Sequence, residues 1–201
     1  MGRFMNHKKW VVALALIATA LILTHLPVSE ADAAASASDF QIEGSTLTKY
    51  RGSDERVTIP DTVEVVGESA FENNQKVQFV VVPKSVKRMD AYVFWGCDNL
   101  EEVVLGKGLT SVDEYAFSGC TGLKQITIPE NIQSIDAQAF AGCTNLTDIY
   151  IPDTVTSIAD DAFLNCDNVT IHADEGSVAE KFAQKPVSYT HLRAHETLSD
   201  L

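Results

Sequence analysis

A repeat of 23 residues runs through the middle of the chain without an insertion or a deletion. Phenylalanine, cysteine, leucine and a β-branched or leucine residue each recur at this interval. The positions are Phe71, Phe94, Phe117, Phe140 and Phe163; Cys97, Cys120, Cys143 and Cys166; Leu100, Leu123 and Leu146; and Ile59, Val82, Leu105, Ile128 and Ile151. A period of about 20–30 residues is typical of solenoids, whose coils bury their apolar sides only against each other. The sequence therefore predicts a stack of coils.

The fourth repeat shows what one coil contains. Ile126 and Ile128 alternate with a polar residue, which predicts a short strand with one face in the core. Ile132 and Ile135 predict a second short extended stretch. Asp136 then stands where an N-cap would begin a single helical turn. The predicted fold is a β-rich solenoid of 23-residue coils, each with short strands and one short helical turn, capped at both ends.

The stack needs caps because its end coils would expose apolar edges. We assign five repeats to residues 57–170, an N-terminal linker and capping hairpin to 34–56, and a C-terminal cap to 171–185. The hairpin is predicted at Phe40–Tyr50, which alternates around a Gly-Ser turn. An amphipathic helix is predicted at Ser177–Ala183, after the repeat phase slips by one residue.

Residues 1–33 have the layout of a secretory signal peptide. Basic residues precede an apolar run from Trp10 to Leu26, and overlapping A-x-A patterns follow between Ala31 and Ala37. The sequence thus predicts an exported protein, secreted or on the cell surface, and leaves the exact cleavage site open. The alternative is an uncleaved membrane anchor, the one case in which we expect contact with a membrane.

The last segment, 186–201, matches no phase of the repeat. From Val187 onward it resembles translated sequencing-adapter DNA, so we interpret it as a non-native tail and exclude it from the fold. On that interpretation the natural protein continues past Lys185. The alternative is a natural polar tail.

Charge and the absence of catalytic motifs exclude several functions. The chain has 15 Lys and Arg against 28 Asp and Glu, a net charge of −13. This balance argues against binding nucleic acid or anionic lipid, which need clustered basic residues. Residues 57–170 contain no histidine, and no serine or cysteine has an evident base partner. We predict that the protein is not an enzyme and uses no cofactor.

The four regularly spaced cysteines have three interpretations. Export permits disulfides, and the expected coil spacing of about 4.8 Å lies within the Cα range of a bridge. Parallel side chains, however, keep the Cβ atoms too far apart for an undistorted bridge. Collinear sulfurs also cannot surround a zinc ion. Buried free thiols are the favoured interpretation, and their redox state after export stays open.

A column of aspartates, Asp90, Asp113 and Asp136, also follows the repeat. Stacked carboxylates can hold Ca²⁺ through their oxygens. Capping of the following turn explains the same residues without an ion. We favour capping and predict no metal site.

Side chains that point outward from the strands carry the candidate binding site. An apolar patch is predicted from Phe79, Val81, Val104 and Tyr150, with Arg56 and Gln125 beside it. Exposed apolar patches with aromatic anchors often mark a protein contact. The alternative is that strands tolerate such residues outside and that the cap shields Phe79. A second, weaker candidate is the aromatic cluster of Tyr92, Trp95 and Tyr115 near the turn side.

The pattern I-P-x-x-V-x-x-I-x-x-x-A-F-x-x-C-x-x-L resembles the BspA-type leucine-rich repeats of bacterial surface and secreted proteins. The resemblance covers about Phe40 to Ala183. Departures are Val93 in place of alanine, Gly106 in place of proline and Asn73-Asn74 in place of Gly-Cys. The resemblance implies an exposed binding protein, since several such proteins are adhesins for host proteins.

These observations predict a secreted or cell-surface module that mediates protein–protein interaction or adhesion through its strand face. The expected partner is a host or matrix protein or another surface protein, and a glycan at the second aromatic cluster is the weaker option. The alternative function is a structural spacer or stalk in a larger cell-wall protein. The sequence does not identify the ligand.

Overall fold

The computed structural model describes residues 35–185 and 193–194. The predicted signal peptide at 1–33 lies outside the described residues, as does the predicted tail at 186–201 apart from Arg193–Ala194. Among the described residues, no helix has the length and apolar character needed to cross a bilayer.

Short strands separated by turns make up almost all the regular structure of the described residues. The strands are β1 (Phe40–Glu43), β2 (Thr46–Tyr50), β3 (Arg56–Thr58), β4 (Val65–Val66), β5 (Phe79–Val81), β6 (Arg88–Met89), β7 (Glu102–Val104), β8 (Ser111–Val112), β9 (Gln125–Thr127), β10 (Ser134–Ile135), β11 (Asp148–Ile151), β12 (Ser157–Ile158), β13 (Thr170–Ala173) and β14 (Arg193–Ala194). A 3₁₀ helix at Ala37–Asp39 precedes β1, and the α-helix α1 spans Val178–Ala183.

The strands form two parallel ladders, one for each extended stretch of the coil. In the first ladder, β3 pairs with β5 and β5 with β7, while β9 pairs with β11 and β11 with β13. In the second, β2, β4 and β6 pair in order, as do β8, β10 and β12. Val57 lies opposite Val80, and Val80 opposite Val103, so each of these two steps is one repeat of 23 residues. The predicted β-rich solenoid is therefore confirmed.

A column of aromatic rings runs through the core. The five repeat phenylalanines are buried, and successive ring centroids lie 5.0, 5.3, 5.3 and 5.4 Å apart from Phe71 to Phe163. Tyr50 stacks on Phe71 at 5.0 Å, and Phe182 of α1 packs on Phe163 at 5.8 Å. Both caps thus extend the column. Burying a ring of this size contributes about 1.5–3 kcal/mol, and a ring pair adds about 0.5–1.5 kcal/mol.

The structure differs from the sequence prediction in the segment expected to form a helical turn. Consecutive turns replace the helix there, and the amide of Ala139 donates to the backbone carbonyl of Asp136 at 3.3 Å. Between these two residues, Gln138 has a φ of 51°. A right-handed helix cannot continue through a residue in the left-handed region. The chain therefore makes a tight bend at this point.

The two caps close the stack in different ways. β1 and β2 form an antiparallel hairpin, and Leu47 of β2 lies opposite Val66 of β4, so the hairpin joins the second ladder. At the other end, the Ser177 hydroxyl accepts from the amide of Glu180 at 3.1 Å and caps α1. The backbone of β14 pairs in parallel with β13.

Candidate functional site

The outward residues of the first ladder form two adjacent columns, which we call the strand face. Because side chains alternate along a strand, residues at the first and third position of each strand point to the same side. Strand pairing fixes the neighbours within β3, β5 and β7 and within β9, β11 and β13, and the 23-residue repeat aligns β7 with β9. One column contains Arg56, Phe79, Glu102, Gln125, Asp148 and Thr170, and the other contains Thr58, Val81, Val104, Thr127, Tyr150 and His172.

At the N-terminal end of the strand face, the apolar patch is smaller than the sequence suggests. The guanidinium carbon of Arg56 lies 5.3 Å from the centroid of the Phe79 ring, and this ring is half-buried. Such a contact is a cation–π interaction, worth about 0.5–1 kcal/mol where solvent reaches it. Val81 is also half-buried, whereas Val104 is 37% exposed. Val104 is thus the most accessible apolar residue of this part.

Tyr150 forms a separate part of the strand face, because Thr127 of β9 lies opposite it and, in the described residues, β9 belongs to a different sheet from β7 and Val104. The ring of Tyr150 is 40% exposed and stacks on His172 with centroids 4.4 Å apart. His172 Nε2 lies 2.7 Å from Oδ1 of Asp148. Burial alone would raise the pKa of Asp148, but hydrogen bonding with His172 and Thr147 lowers the pKa overall.

The 23-residue period alone does not connect His172 with Tyr150. The register connects them, since Tyr150 lies opposite His172, one residue fewer than a full repeat away. The slip in the repeat phase after Val169 was the signal that predicts this pairing.

Glu102 is a functional candidate that sequence reasoning missed. Glu102 lies opposite Phe79 in the strand pairing, on the side of the following coil. Burial raises the pKa of Glu102, and the charge of Arg56 opposes that rise. Its Oε1 atom is buried and has no hydrogen-bond partner among the described residues. The residue borders an open groove of about 310 Å³, whose lining consists of Glu101, Glu102, Lys124, Gln125 and Thr147. Gln125, a predicted neighbour of the apolar patch, therefore lies in this groove.

The second aromatic cluster is brought together on the turn side of the coils. The rings of Tyr92 and Tyr115 stack with centroids 4.8 Å apart and an interplanar angle of 8°. Trp95 stands at 89° to Tyr92 with centroids 6.5 Å apart, and it is 40% exposed. Tyr92 and Tyr115 have φ values of 61° and 55°, a region that bulky residues rarely adopt. The cluster thus presents two aromatic surfaces at a right angle, the stacked tyrosines and Trp95.

The repeat cysteines are buried free thiols in this structure. Each sulfur donates to the backbone carbonyl of a phenylalanine in the preceding coil: Cys97 to Phe71, Cys120 to Phe94 and Cys143 to Phe117 at 3.1 Å, and Cys166 to Phe140 at 2.9 Å. Burial raises the pKa of Cys97 to about 12 and holds the pKa values of Cys120 and Cys143 well above the ordinary value. The thiols hold successive coils together as protonated donors.

The aspartate column lies beside the second ladder. Burial raises the pKa of Asp113, and the charges of Asp136 and Asp90 add to the rise, against a hydrogen bond of 2.5 Å from Ser111. Arg88 Nε lies 2.5 Å from Oδ1 of Asp90. In the described part of the chain, no group of three or more His, Cys, Asp or Glu residues is arranged to hold a metal ion.

A family model described as the BspA type leucine rich repeat region matches residues 45–170 in six copies. The match begins inside the predicted capping hairpin, ahead of the five repeats counted from the sequence. No curated protein matches the chain.

Solved structures share the fold. A leucine rich cell surface protein from Faecalibacterium prausnitzii A2-165 is 34% identical, with a TM-score of 0.64, over 67% of this chain and 36% of that one. A leucine rich repeat protein from T. pallidum is 27% identical, with a TM-score of 0.66, over 69% and 70% of the two chains. A leucine-rich repeat protein from Bacteroides ovatus ATCC 8483 is 29% identical, with a TM-score of 0.58, over 68% and 37%. The chain spans about a third of the length of the first and third of these proteins.

Proposed function

The chain belongs to the BspA-type leucine-rich repeat family, and on that basis we propose that it is a secreted or cell-surface module that binds a protein through its strand face. Two observations support the location: the predicted signal peptide and the similarity to a leucine rich cell surface protein. The partner class is a host or matrix protein, or another surface protein. The protein acts by binding and needs no catalytic group or cofactor.

The observation that carries this proposal is the exposure of Val104 and Tyr150 on the two parallel sheets of the strand face. Both occupy the same outward position of the 23-residue repeat, and each is more than a third exposed. The ladder fixes their positions without cost on binding, because strand pairing already orders the backbone. Apolar and aromatic anchors on a rigid surface are typical of the few residues that dominate binding energy.

Two other functions make different predictions. A structural spacer would need no accessible anchors, and its strand face would bind nothing. A glycan-binding module would use Trp95 and Tyr92, whose perpendicular rings can pack against the apolar face of a sugar. The strand face and the aromatic cluster carry different residues, so substitutions separate the three functions.

The test is binding of the purified protein to immobilised matrix proteins, plasma proteins and bacterial wall fragments. The double variant Val104→Glu/Tyr150→Glu places two charges on the strand face. Val178→Glu is the matched control, because Val178 is 36% exposed but lies on α1. We expect saturable binding that the double variant weakens by about 2 kcal/mol or more and the control leaves unchanged.

Circular dichroism of each variant checks that the fold is intact. Binding that survives the double variant would refute the strand face as the site. Loss of binding in a Trp95→Ala variant alone would instead favour the glycan function. If a well-folded protein bound nothing on the whole panel, the result would favour the function of a structural spacer.

A further inference from the structure

The carboxylate of Glu102 differs from the other acidic side chain of its groove. Glu101 is exposed, and its Oε2 lies 2.7 Å from Nζ of Lys124, so its charge is already paired. Glu102 has one buried oxygen that lacks a hydrogen-bond partner among the described residues. It borders the same groove and occupies the strand face two residues before Val104.

Partial burial makes Glu102 the stronger attachment point for a positive charge. Withdrawing a carboxylate from water is costly, and here folding has already imposed part of that cost. A cation that reaches the groove therefore gains the attraction without having to desolvate a fully hydrated carboxylate. The attraction is also stronger than at an exposed site, because the effective dielectric constant is lower near buried groups.

The charge of the groove points to a cation rather than to a neutral hydrogen-bond donor. Its lining contains two glutamates and one lysine, and the lysine is paired with Glu101. Arg56, which does not line the groove, also attracts Glu102, and its guanidinium lies over the ring of Phe79, the residue paired with Glu102. The net negative charge on the groove side thus comes from Glu102.

The surroundings also suit the aliphatic part of a long basic side chain. Lys and Arg pack their methylene groups along apolar surface and keep the charged end in a polar setting. Val104 offers such a surface next to the groove, and Gln125 and Thr147 supply polar side chains at its border.

We propose that Glu102 receives a lysine or arginine side chain of the protein ligand, which lies along Val104 and enters the groove beside β7 and β9. This inference rests on the proposed function, because it states the chemistry of the partner that the strand face takes. The ligand therefore presents a basic residue next to apolar contacts.

The first experiment needs no macromolecular ligand. N-acetylarginine amide is titrated into the protein, and the Glu102 side-chain carboxyl and Val104 methyl resonances are followed by NMR. N-acetylcitrulline amide has nearly the same shape without the charge and serves as the probe control. We expect saturable shifts at both positions with the arginine probe and none with the citrulline probe.

Two variants locate the effect. Glu102→Gln should lower the affinity for the arginine probe, followed at the Val104 methyl resonance, by about tenfold or more, since it removes the partly buried charge. Glu114→Gln changes the net charge equally but lies next to Tyr115 on the turn side, so it should leave the titration unchanged. Absence of saturable shifts in the unmodified protein, or an equal loss in both variants, would overturn the inference.

The outcome can be separated from that of the proposed function. If Val104→Glu/Tyr150→Glu abolishes binding of a protein ligand while Glu102→Gln leaves its affinity unchanged, the strand face stands and the basic anchor is refuted. If the arginine probe binds as described but no protein on the panel does, the anchor stands and the proposed function fails.

Discussion

Backbone handedness at single positions bends every coil in the same place. Residues at one position of the repeat all have positive φ: Asn73 at 55°, Gly96 at 66°, Gly119 at 75°, Gly142 at 71° and Asn165 at 62°. Glycine and asparagine tolerate this region better than other residues do. The residue type at this position is therefore set by its backbone preference, whereas the residue types in the neighbouring core columns are set by side-chain volume.

Substitution of Gly142 tests this view. A Cβ atom there would come no closer than 3.8 Å to other residues, so crowding is absent and the backbone angle alone decides. Gly142→Ala should lower the free energy of unfolding by about 1–2 kcal/mol, measured by urea denaturation. Gly142→Asn should cost clearly less, as Asn73 and Asn165 already occupy the same position. An equal loss in both variants would contradict the explanation.

The buried thiols should be unreactive in the folded protein. Only the thiolate is nucleophilic, and burial keeps Cys97, Cys120 and Cys143 protonated. All four thiols are fully buried, so we expect iodoacetamide at about pH 8 to modify them only on unfolding, as measured by mass spectrometry. Rapid modification of Cys120 in the native protein would refute this.

The same thiols predict a dependence of stability on pH. The pKa of Cys97 is about 12 in the folded protein against an ordinary value of 9.0. The folded state therefore holds its proton where the unfolded state has lost it, so the contribution is complete below pH 9 and is lost as pH rises towards 12. Urea denaturation should show a decline over this range that is smaller in Cys97→Ala. An unchanged decline in that variant would assign the effect to other groups.

At the scale of elements, the N-terminal hairpin acts as part of a coil as well as a cover. Its second strand joins the second ladder, and Tyr50 supplies the first ring that stacks on the phenylalanine column. The family match from residue 45 agrees with this role. A cap that continues the core column protects its apolar end without a separate core of its own.

Substitutions of Tyr50 separate the contribution of its hydroxyl from that of its stacked ring to the stability of this cap. Its hydroxyl donates to Oδ2 of Asp54 at 2.9 Å, and its ring is buried. Tyr50→Phe keeps the ring and should lower the free energy of unfolding by about 1 kcal/mol. Tyr50→Ala removes the stacked ring and should cost about 3–5 kcal/mol. Equal effects in thermal or urea denaturation would mean that the hydrogen bond, rather than the ring, holds the hairpin.

The sequence predicts the ladders and the core columns because they follow a strict period, but it does not predict every bend. A glycine such as Gly96 indicates a left-handed backbone in the sequence. Tyr92 and Tyr115 adopt the same region, but tyrosine seldom does so and therefore does not predict it. The same limit applies to the strand face. The position of Arg56 over Phe79 and the buried oxygen of Glu102 depend on side-chain rotamers, which no periodicity encodes.

At the scale of the whole molecule, the stack is close to one-dimensional, because the strand pairs of residues 56–173 join each coil to its neighbours along the chain. The stability of such proteins is approximately a sum over repeats and their interfaces. The number of coils can then change as long as the register is kept. The register matters because a shift of one residue turns every side chain of a strand to the opposite face.

Deletion of one full repeat tests this property. Removing residues 104–126 takes out 23 residues and joins Val103 to Thr127, so an inward residue is still followed by an outward one. Removing 104–125 takes out 22 and places Val103 directly before Ile126, so two inward residues become neighbours. We expect the first variant to keep its circular dichroism spectrum and to unfold cooperatively. Its stability should be lower, because the two interfaces of the deleted coil are replaced by a single interface between its former neighbours. The second should lose cooperative unfolding or fall well below the first in urea midpoint. Similar behaviour of the two variants would show that the coils tolerate a local change of register, and would contradict a stack whose core columns set the repeat length.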